Sequence, residues 1–392
     1  MKVLLVHNRY RQAGGEDAVF AAEVALLRRQ GHRVVEYVED NRGIRQSAAL
    51  SIAARTIWSC SAERKLTQLL HSHHPDLVHF HNTFPLISPA AYYSCHKSGI
   101  PVVQTLHNYR LLCAAALLFR QGQVCEFCLG RRLTWPGVVH RCYRRSAAQT
   151  AVVTAMLGLH RLLGTWKSQV DLYIALSDFA RQKFIQGGLP EEKIVVKPNF
   201  VEPDPGPGLG VGCYALFAGR LSPEKGVATL LEAWRSLKHV PLQIAGDGPL
   251  LPQACRFAAS SARRGNVHVV GYCNRPELFR LMKAARYLVF ASQWYEGFPM
   301  VIAEAFACGR PVIAARLGAT AEIVEHGRTG LLAQPGDAED LADKAGWLWS
   351  HPETCEQMGR EARAEFEAKY CAQRNYPLLW EIYATALRMR GG

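Results

Sequence analysis

What this chain lacks narrows it before any motif does. No apolar run approaches the roughly 18–20 residues that span a bilayer; the longest, near residues 111–119 and 147–159, stop short of that. The opening apolar run, residues 3–6, ends at His7-Asn8-Arg9 and is too short for a signal-peptide core. With no export signal expected, the twelve cysteines read as thiols of a reducing compartment, or as metal ligands where they cluster. Charged residues make up 20% and apolar residues 49%, which excludes a disordered or fibrous chain. A G-x-G-x-x-G turn is missing after the first strand, which weakens a nicotinamide-dinucleotide reading.

Acidic residues are scarce in one half only. Residues 1–200 carry 25 Lys+Arg against 13 Asp+Glu, whereas residues 201–392 carry 21 against 20. Nearly the whole net charge of +13 therefore sits in the first half, which is the half expected to meet something anionic. A phosphorylated substrate, an acidic membrane surface and nucleic acid all fit that sign, as does a basic surface kept for solubility.

A length of 392 residues exceeds what one hydrophobic core serves, so two domains are expected. Short apolar runs at 2–6, 33–38, 76–80 and 101–106 alternate with helical patterns at 18–30 and 88–97, as in βαβ units. Residues 197–208 hold four prolines and two glycines, which suits a linker. The alternation then restarts, with strands at 214–218, 242–245, 267–270, 287–291 and 311–314. Helices are expected at 226–237, 250–263, 275–284, 301–308, 337–349 and 352–370, and a last amphipathic helix at 375–388. The domains predicted are 1–200, with a cysteine-containing insertion at about 110–145, and 201–375. Residues 376–392 are expected to pack back on the first. Such folds bind ligands at the carboxyl ends of their parallel strands.

Three loops of the second half carry chemistry. Gly219-Arg220-Leu221-Ser222-Pro223-Glu224-Lys225-Gly226 places two cations around a turn that leads into a helix, which suits a diphosphate. Gly246-Asp247-Gly248-Pro249 follows the next strand in the same style. Glu296-Gly297-Phe298-Pro299 then precedes a helix containing Glu304, with Pro299 at a first-turn position. From Pro299 to Glu304 the helix advances about 7.5 Å, near the width of a sugar ring with its contacts. Each glutamate is equally well read as a solvated or arginine-paired side chain. In the first half, Gly14-Gly15 at the first strand–helix turn reads as a backbone approach to an anion or as a flexible turn. His79 and His81 end a strand at the expected ligand edge, where an acceptor contact is open.

Taken together, Glu296-x7-Glu304, Gly219-Arg220-x4-Lys225-Gly226, Gly246-Asp247-Gly248-Pro249 and Pro75-Asp76-Leu77-Val78-His79-Phe80-His81 resemble family 4 glycosyltransferases. The resemblance implies the α/β GT-B fold, two Rossmann-like doubly wound domains facing a central cleft. It also implies a retaining sugar transfer from a nucleotide-diphosphate sugar, UDP- or GDP-linked. Position by position, Arg220 and Lys225 would hold the diphosphate, Glu304 the ribose hydroxyls and Glu296 the donor sugar. His107 would face that sugar, Gly14 and Gly15 would close over the diphosphate, and Gly219, Gly246, Asp247, Gly297, Phe298 and Pro299 would line the donor loops. Glu296, His107, Arg220 and Lys225 form the expected catalytic set. Gly318-Ala319 departs from the Gly-Gly of many relatives.

No Asp-x-Asp motif lies near that donor site, so the cations are expected to do a metal's work and no cofactor is required for catalysis. The acceptor is expected to be a glycan or lipid-linked saccharide of a cell-surface polysaccharide. The enzyme would then lie in the cytoplasm, free or peripheral at the inner face of the membrane. A GT-B epimerase or phosphorylase is the alternative, disfavoured by the Glu296/Glu304 pattern. Nucleic acid is not an expected partner, because aromatics do not interleave with the basic residues. Cys113, Cys125, Cys128 and Cys142 read as a structural tetrahedral zinc set or as buried free thiols. The helix at 147–166 beside them is expected either on the first domain's sheet or on an anionic membrane.

Overall fold

The computed structural model describes residues 1–11, 14–44, 49–260 and 266–391. Its strands, in chain order, begin with β1 (Lys2–Arg9), β2 (Arg33–Asp40), β3 (Leu77–Phe80) and β4 (Val102–Leu106). β5 (Phe119–Arg120), β6 (Gln123–Val124), β7 (Leu172–Ala175) and β8 (Ile194–Val196) follow. The second half supplies β9 (Ala215–Ala218), β10 (Leu242–Ala245), β11 (Val267–Gly271), β12 (Tyr287–Phe290), β13 (Val312–Ala315) and β14 (Gly330–Ala333).

The chain divides into two compact units. One comprises residues 1–118, 125–199 and 375–392; the other comprises 119–124 and 200–374. The first unit's sheet runs β2-β1-β3-β4-β7-β8 and is parallel throughout. Val3, Leu4, Leu5 and Val6 of β1 are all fully buried. That continuous apolar run is what a parallel strand covered on both faces requires. Phe20, Val24 and Leu27 of the helix Gly15–Arg29 pack on this sheet, as do Leu379, Ile382 and Tyr383 of the helix Ala372–Gly391. Acidic Glu16 and Asp17 open the former helix and Arg28 and Arg29 close it, in the sense the helix dipole favours.

The helix expected at 147–166 appears as Ala147–Leu162 followed by Thr165–Ser168. Its main packing partners are the helices Ala49–Ile57 and Trp135–Val139. The insertion at 110–145 is mostly irregular, with the antiparallel pair β5–β6 within it. Six of its non-glycine residues, Ala116, Leu118, Gln121, Arg141, Arg144 and Arg145, have positive φ.

The second unit's sheet, also parallel, runs β11-β10-β9-β12-β13-β14. Its core gathers Phe217, Ile244 and Val289 from the strands with Trp234, Leu341 and Leu348 from the helices. The helix expected at 250–263 is Leu251–Ser260, and residues 261–263 lie outside the described residues. So do residues 12–13 of the first strand–helix loop and the final residue of the C-terminal segment.

Candidate functional site

In the second unit, the loops leaving β9, β10 and β12 meet at one edge of the sheet. β10 lies on one side of β9 and β12 on the other, so a topological switch point falls between β9 and β12. Chain crossing away in both directions leaves room there for a ligand. The loops are tied by backbone hydrogen bonds: Leu221 donates to the Asp247 carbonyl at 2.9 Å and Gln293 to the Glu224 carbonyl at 2.8 Å. Glycine permits this approach at two places. A Cβ on Gly226 (φ +70°) would stand 1.8 Å from the Ala291 carbonyl oxygen, and one on Gly246 (φ +150°) 1.9 Å from that of Gly219.

At this switch point Lys225 Nζ donates to Glu296 Oε1 at 2.6 Å. The same oxygen accepts the Ser292 hydroxyl at 2.8 Å and the Trp294 indole N–H at 2.7 Å. Three donors on one oxygen hold the carboxylate in place. The lysine side chain is 23% exposed and the glutamate 8%, so an arriving anion meets the cation first. Lys225 also lies 5.7 Å from the Phe290 ring centroid and 5.5 Å from that of Trp294.

Gly219, Arg220 and Asp247 are exposed, Gly246 and Gly297 are half-buried, and Asp247 Oδ1 accepts the Gly248 N–H at 2.7 Å. Phe298 is buried with its ring 5.6 Å from that of Tyr370. Pro299 caps the helix Met300–Ala307 rather than opening it. Glu304 lies inside that helix, 3.6 Å from Arg275 Nε. Burial pushes its carboxyl up to about 7, against the pull of Arg275. The structure thus joins Lys225 to Glu296 and gives Glu304 a different cation.

The first unit's sheet has its own switch point, between β1 and β3. His79 and His81, for which an acceptor contact was only one reading, are buried. They surround Glu23, whose position among Phe20, Val24 and Leu27 on a buried helix face was the missed signal. Glu23 Oε1 lies 2.9 Å from His79 Nδ1 and 3.2 Å from His81 Nε2, and Lys197 Nζ is 3.5 Å from Oε2. Burial alone would raise this carboxyl, but His79, Lys197 and His81 hold it well below the ordinary range. Three such ligand atoms lie within 4.8 Å of one another, a grouping that suits a metal. Lys197 already supplies a cation there, so the cluster reads as a buried polar network.

The network sets proton positions. An ionised Glu23 only accepts, so the neutral His81 donates from Nε2 and presents a lone pair at Nδ1. Burial holds His81 down to about 4, against Glu23. His81 Nδ1 lies 2.9 Å from His107 Nε2, which must therefore be the protonated nitrogen. His107 is itself held neutral by burial, helped by His81 and His7, and its lone pair lies on Nδ1. Nearby, Glu16 Oε2 accepts from Asn108 at 3.2 Å, and burial followed by Asp17 pushes this carboxyl up to about 8. Gly14 and Gly15 sit at the start of the adjacent helix, both exposed. The Gly14 amide donates to Asp17 Oδ2 at 2.9 Å, so that donor is taken within the protein.

Among the four clustered cysteines, Cys113 and Cys128 are buried, Cys125 and Cys142 are half-buried, and none forms a disulfide. Burial, reinforced by Cys113, Cys142 and Cys125, pushes the Cys128 thiol up to about 11. Among the described residues no three of these sulfurs lie within 4.8 Å of one another. A tetrahedral thiolate set spaces sulfurs about 3.8 Å apart. As placed, the four do not close around an ion.

Residues 13–205 match the family model described as Glycosyltransferase Family 4, and residues 213–365 the model Glycosyl transferases group 1. A D-rhamnosyltransferase of Pseudomonas aeruginosa is 32% identical over 41% of this chain and 42% of its own length. An O-antigen chain mannosyltransferase B of Escherichia coli is 29% identical over 47% and 52% respectively. The chain spans about half the length of the curated relatives it matches. Among solved structures, the Anabaena protein HepE in complex with UDP superposes with a TM-score of 0.68 at 18% identity, covering 98% of this chain and 100% of that one.

Proposed function

Since the chain belongs to the family 4 glycosyltransferases of the GT-B fold, we propose that it moves a sugar from a nucleoside-diphosphate sugar to a glycan or lipid-linked saccharide in polysaccharide biosynthesis. The observation that carries this reading is the Lys225–Glu296 pair at the switch point of the second unit. Lys225 exchanges its carboxylate partner for the donor's diphosphate, with the exposed Arg220 as second cation. Glu296, released from Lys225 yet still held by Ser292 and Trp294, takes hydroxyls of the donor sugar. Glu304 accepts the ribose diol, for which its carboxyl must ionise.

Transfer proceeds with retention. On this reading no carboxylate serves as nucleophile: the acceptor hydroxyl attacks on the face the diphosphate leaves, and a departing phosphate oxygen takes its proton. Cations fixed before the reaction stabilise the growing charge without reorganising. His107, its lone pair fixed at Nδ1, accepts a hydrogen bond from the donor sugar. The basic first unit serves the acceptor and an anionic membrane surface in the cytoplasm. For the cysteine loop, a structural zinc is proposed on the C-x2-C spacing alone, and binding it requires the four sulfurs to draw closer together than the structure places them. Metal analysis giving about one equivalent, lost when Cys125 and Cys128 are both changed to Ser, supports it; zinc-free native protein ends it.

Thermal shift against UDP-, GDP- and ADP-sugars tests the donor reading. A binding nucleotide sugar raises the melting temperature by mass action. No shift with any nucleotide sugar, together with no hydrolysis of the panel, refutes it.

A further inference from the structure

The first unit contains a cavity of about 950 Å³, near the upper end of the roughly 300–1,000 Å³ of small-molecule sites. Its walls include Leu111, Leu112, Leu133, Ala151, Ala155 and Leu159, contributed by the cysteine loop and the helix Ala147–Leu162. Arg131, Arg132 and Lys167, all exposed, also line it. Trp166 lines it as well; the side chain is buried, and its indole N–H has no hydrogen-bond acceptor among the described residues. A buried donor without a partner is costly unless something else accepts from it.

The chain segment that walls this cavity is apolar and basic together. Fourteen large hydrophobic residues are exposed among the described residues, and six of them fall within residues 127–163: Phe127, Leu133, Trp135, Val139, Leu162 and Leu163. Leu162 is 85% exposed. Residues 110–145 carry seven arginines against one acidic residue, Glu126. Apolar side chains beside arginines suit the boundary between lipid head groups and acyl chains. No described helix is long and apolar enough to cross a membrane, so contact with a bilayer through this face is interfacial.

We propose that this cavity receives the single, ester-free hydrocarbon chain of a polyprenyl-type lipid phosphate, with Arg132 and Lys167 on the phosphate at its mouth. The tail replaces water along the leucine walls, and the lipid's first polar oxygen accepts from Trp166. A sugar phosphate without a tail has no use for those walls, and a phosphate alone has none for the exposed leucine pair. The assignment rests on the reading of the first unit as the acceptor side and gives that acceptor a chemical class.

Binding to vesicles, measured by co-sedimentation without turnover, tests it. Three compositions are compared: phosphatidylcholine alone, phosphatidylcholine with phosphatidylglycerol, and phosphatidylcholine doped with a polyprenyl phosphate. The native protein is expected to prefer the polyprenyl phosphate vesicles to both others. Arg132→Gln with Lys167→Gln should weaken binding to either anionic vesicle roughly 30-fold, at about 1 kcal/mol per cation. Ala155 is exposed and lines the cavity, so Ala155→Trp fills it from outside the core. That variant should keep its melting temperature and its binding to phosphatidylglycerol, and lose the preference for polyprenyl phosphate. An unchanged preference in Ala155→Trp, equal binding of a short-chain water-soluble prenyl phosphate, or no preference for anionic vesicles overturns the proposal. Calorimetry with UDP and GDP on the same preparations separates the two readings. Lost vesicle binding with intact nucleotide binding removes the lipid site alone; the reverse removes the donor reading alone.

Discussion

The two units present the same architecture at their switch points and use charge in opposite ways. In the second, Lys225 and Glu296 form a pair whose cation is the more exposed partner, with Arg220 exposed in the same loop as Lys225. In the first, Glu23 and Lys197 are both buried and face each other, with His79 and His81 on Glu23 and the Asn375 side-chain oxygen on Lys197. A charge left near solvent can change partners when a ligand arrives. One sealed in the core can only orient what it touches. On the function proposed, the second edge exchanges its carboxylate for an anion, while the first holds His107 neutral in one tautomer.

Removing the buried carboxylate breaks this comparison most severely. Glu23→Ala leaves Lys197 in the core without its carboxylate, which is expected to cost about 3–5 kcal/mol of stability. Denaturant unfolding checks this; a loss under 1 kcal/mol would mean that the first unit's charges are no more internal than the second's. Lys225→Ala and Glu296→Ala come next. Each should lower turnover about a hundredfold, on the order of 3 kcal/mol of transition-state stabilisation, with the melting temperature nearly kept. Near-native turnover in both variants would detach the pair from catalysis.

Glu304 sharpens the comparison, being a buried carboxylate within the exchangeable site. Its folded-state pKa of about 7 lies above the ordinary 4.5. As pH rises between these values, the unfolded chain loses this proton first, and native stability falls by up to about 3 kcal/mol. Glu304→Gln should therefore be more stable than the native protein by about 1–3 kcal/mol near pH 8, with the difference gone near pH 4. Unfolding curves at the two pH values decide it. The same variant should bind free nucleoside diphosphate more weakly, which calorimetry measures. The smallest effect is expected from Gly14→Ala: a Cβ there meets nothing within 4 Å, and the amide is engaged by Asp17. Turnover within about threefold of native matches that; a hundredfold loss would restore Gly14 to a close approach of backbone and donor.

Much of this was legible in the sequence. The apolar runs that became β1, β3, β4, β9 and β12 are short, continuous and bounded by turns, because a parallel strand buried on both faces has no polar side to show. Lys225 and Glu296 were legible as loop residues, where charged side chains stand out against the strands before them, and Glu304 as a charge inside the apolar helix that follows. Glu23 and Lys197 were not. A lone Glu in a helix and a lone Lys before a proline look solvated until the helix docks and encloses both. The burial of His81 was not legible either, since the end of a strand is open only if nothing packs over it.

The sequence by itself determined the class of fold, the order of its elements and the loops that bear cations and carboxylates, since these follow from local periodicity, turn residues and charge. Only the tertiary structure decided which charges are paired. It set Lys225 against Glu296 across 71 residues, Lys197 against Glu23 across more, and the leucines of a cysteine loop around an apolar cavity. The reason is physical: an ion pair or a cavity depends on distance and on exclusion of water, and neither exists until elements remote in sequence pack together.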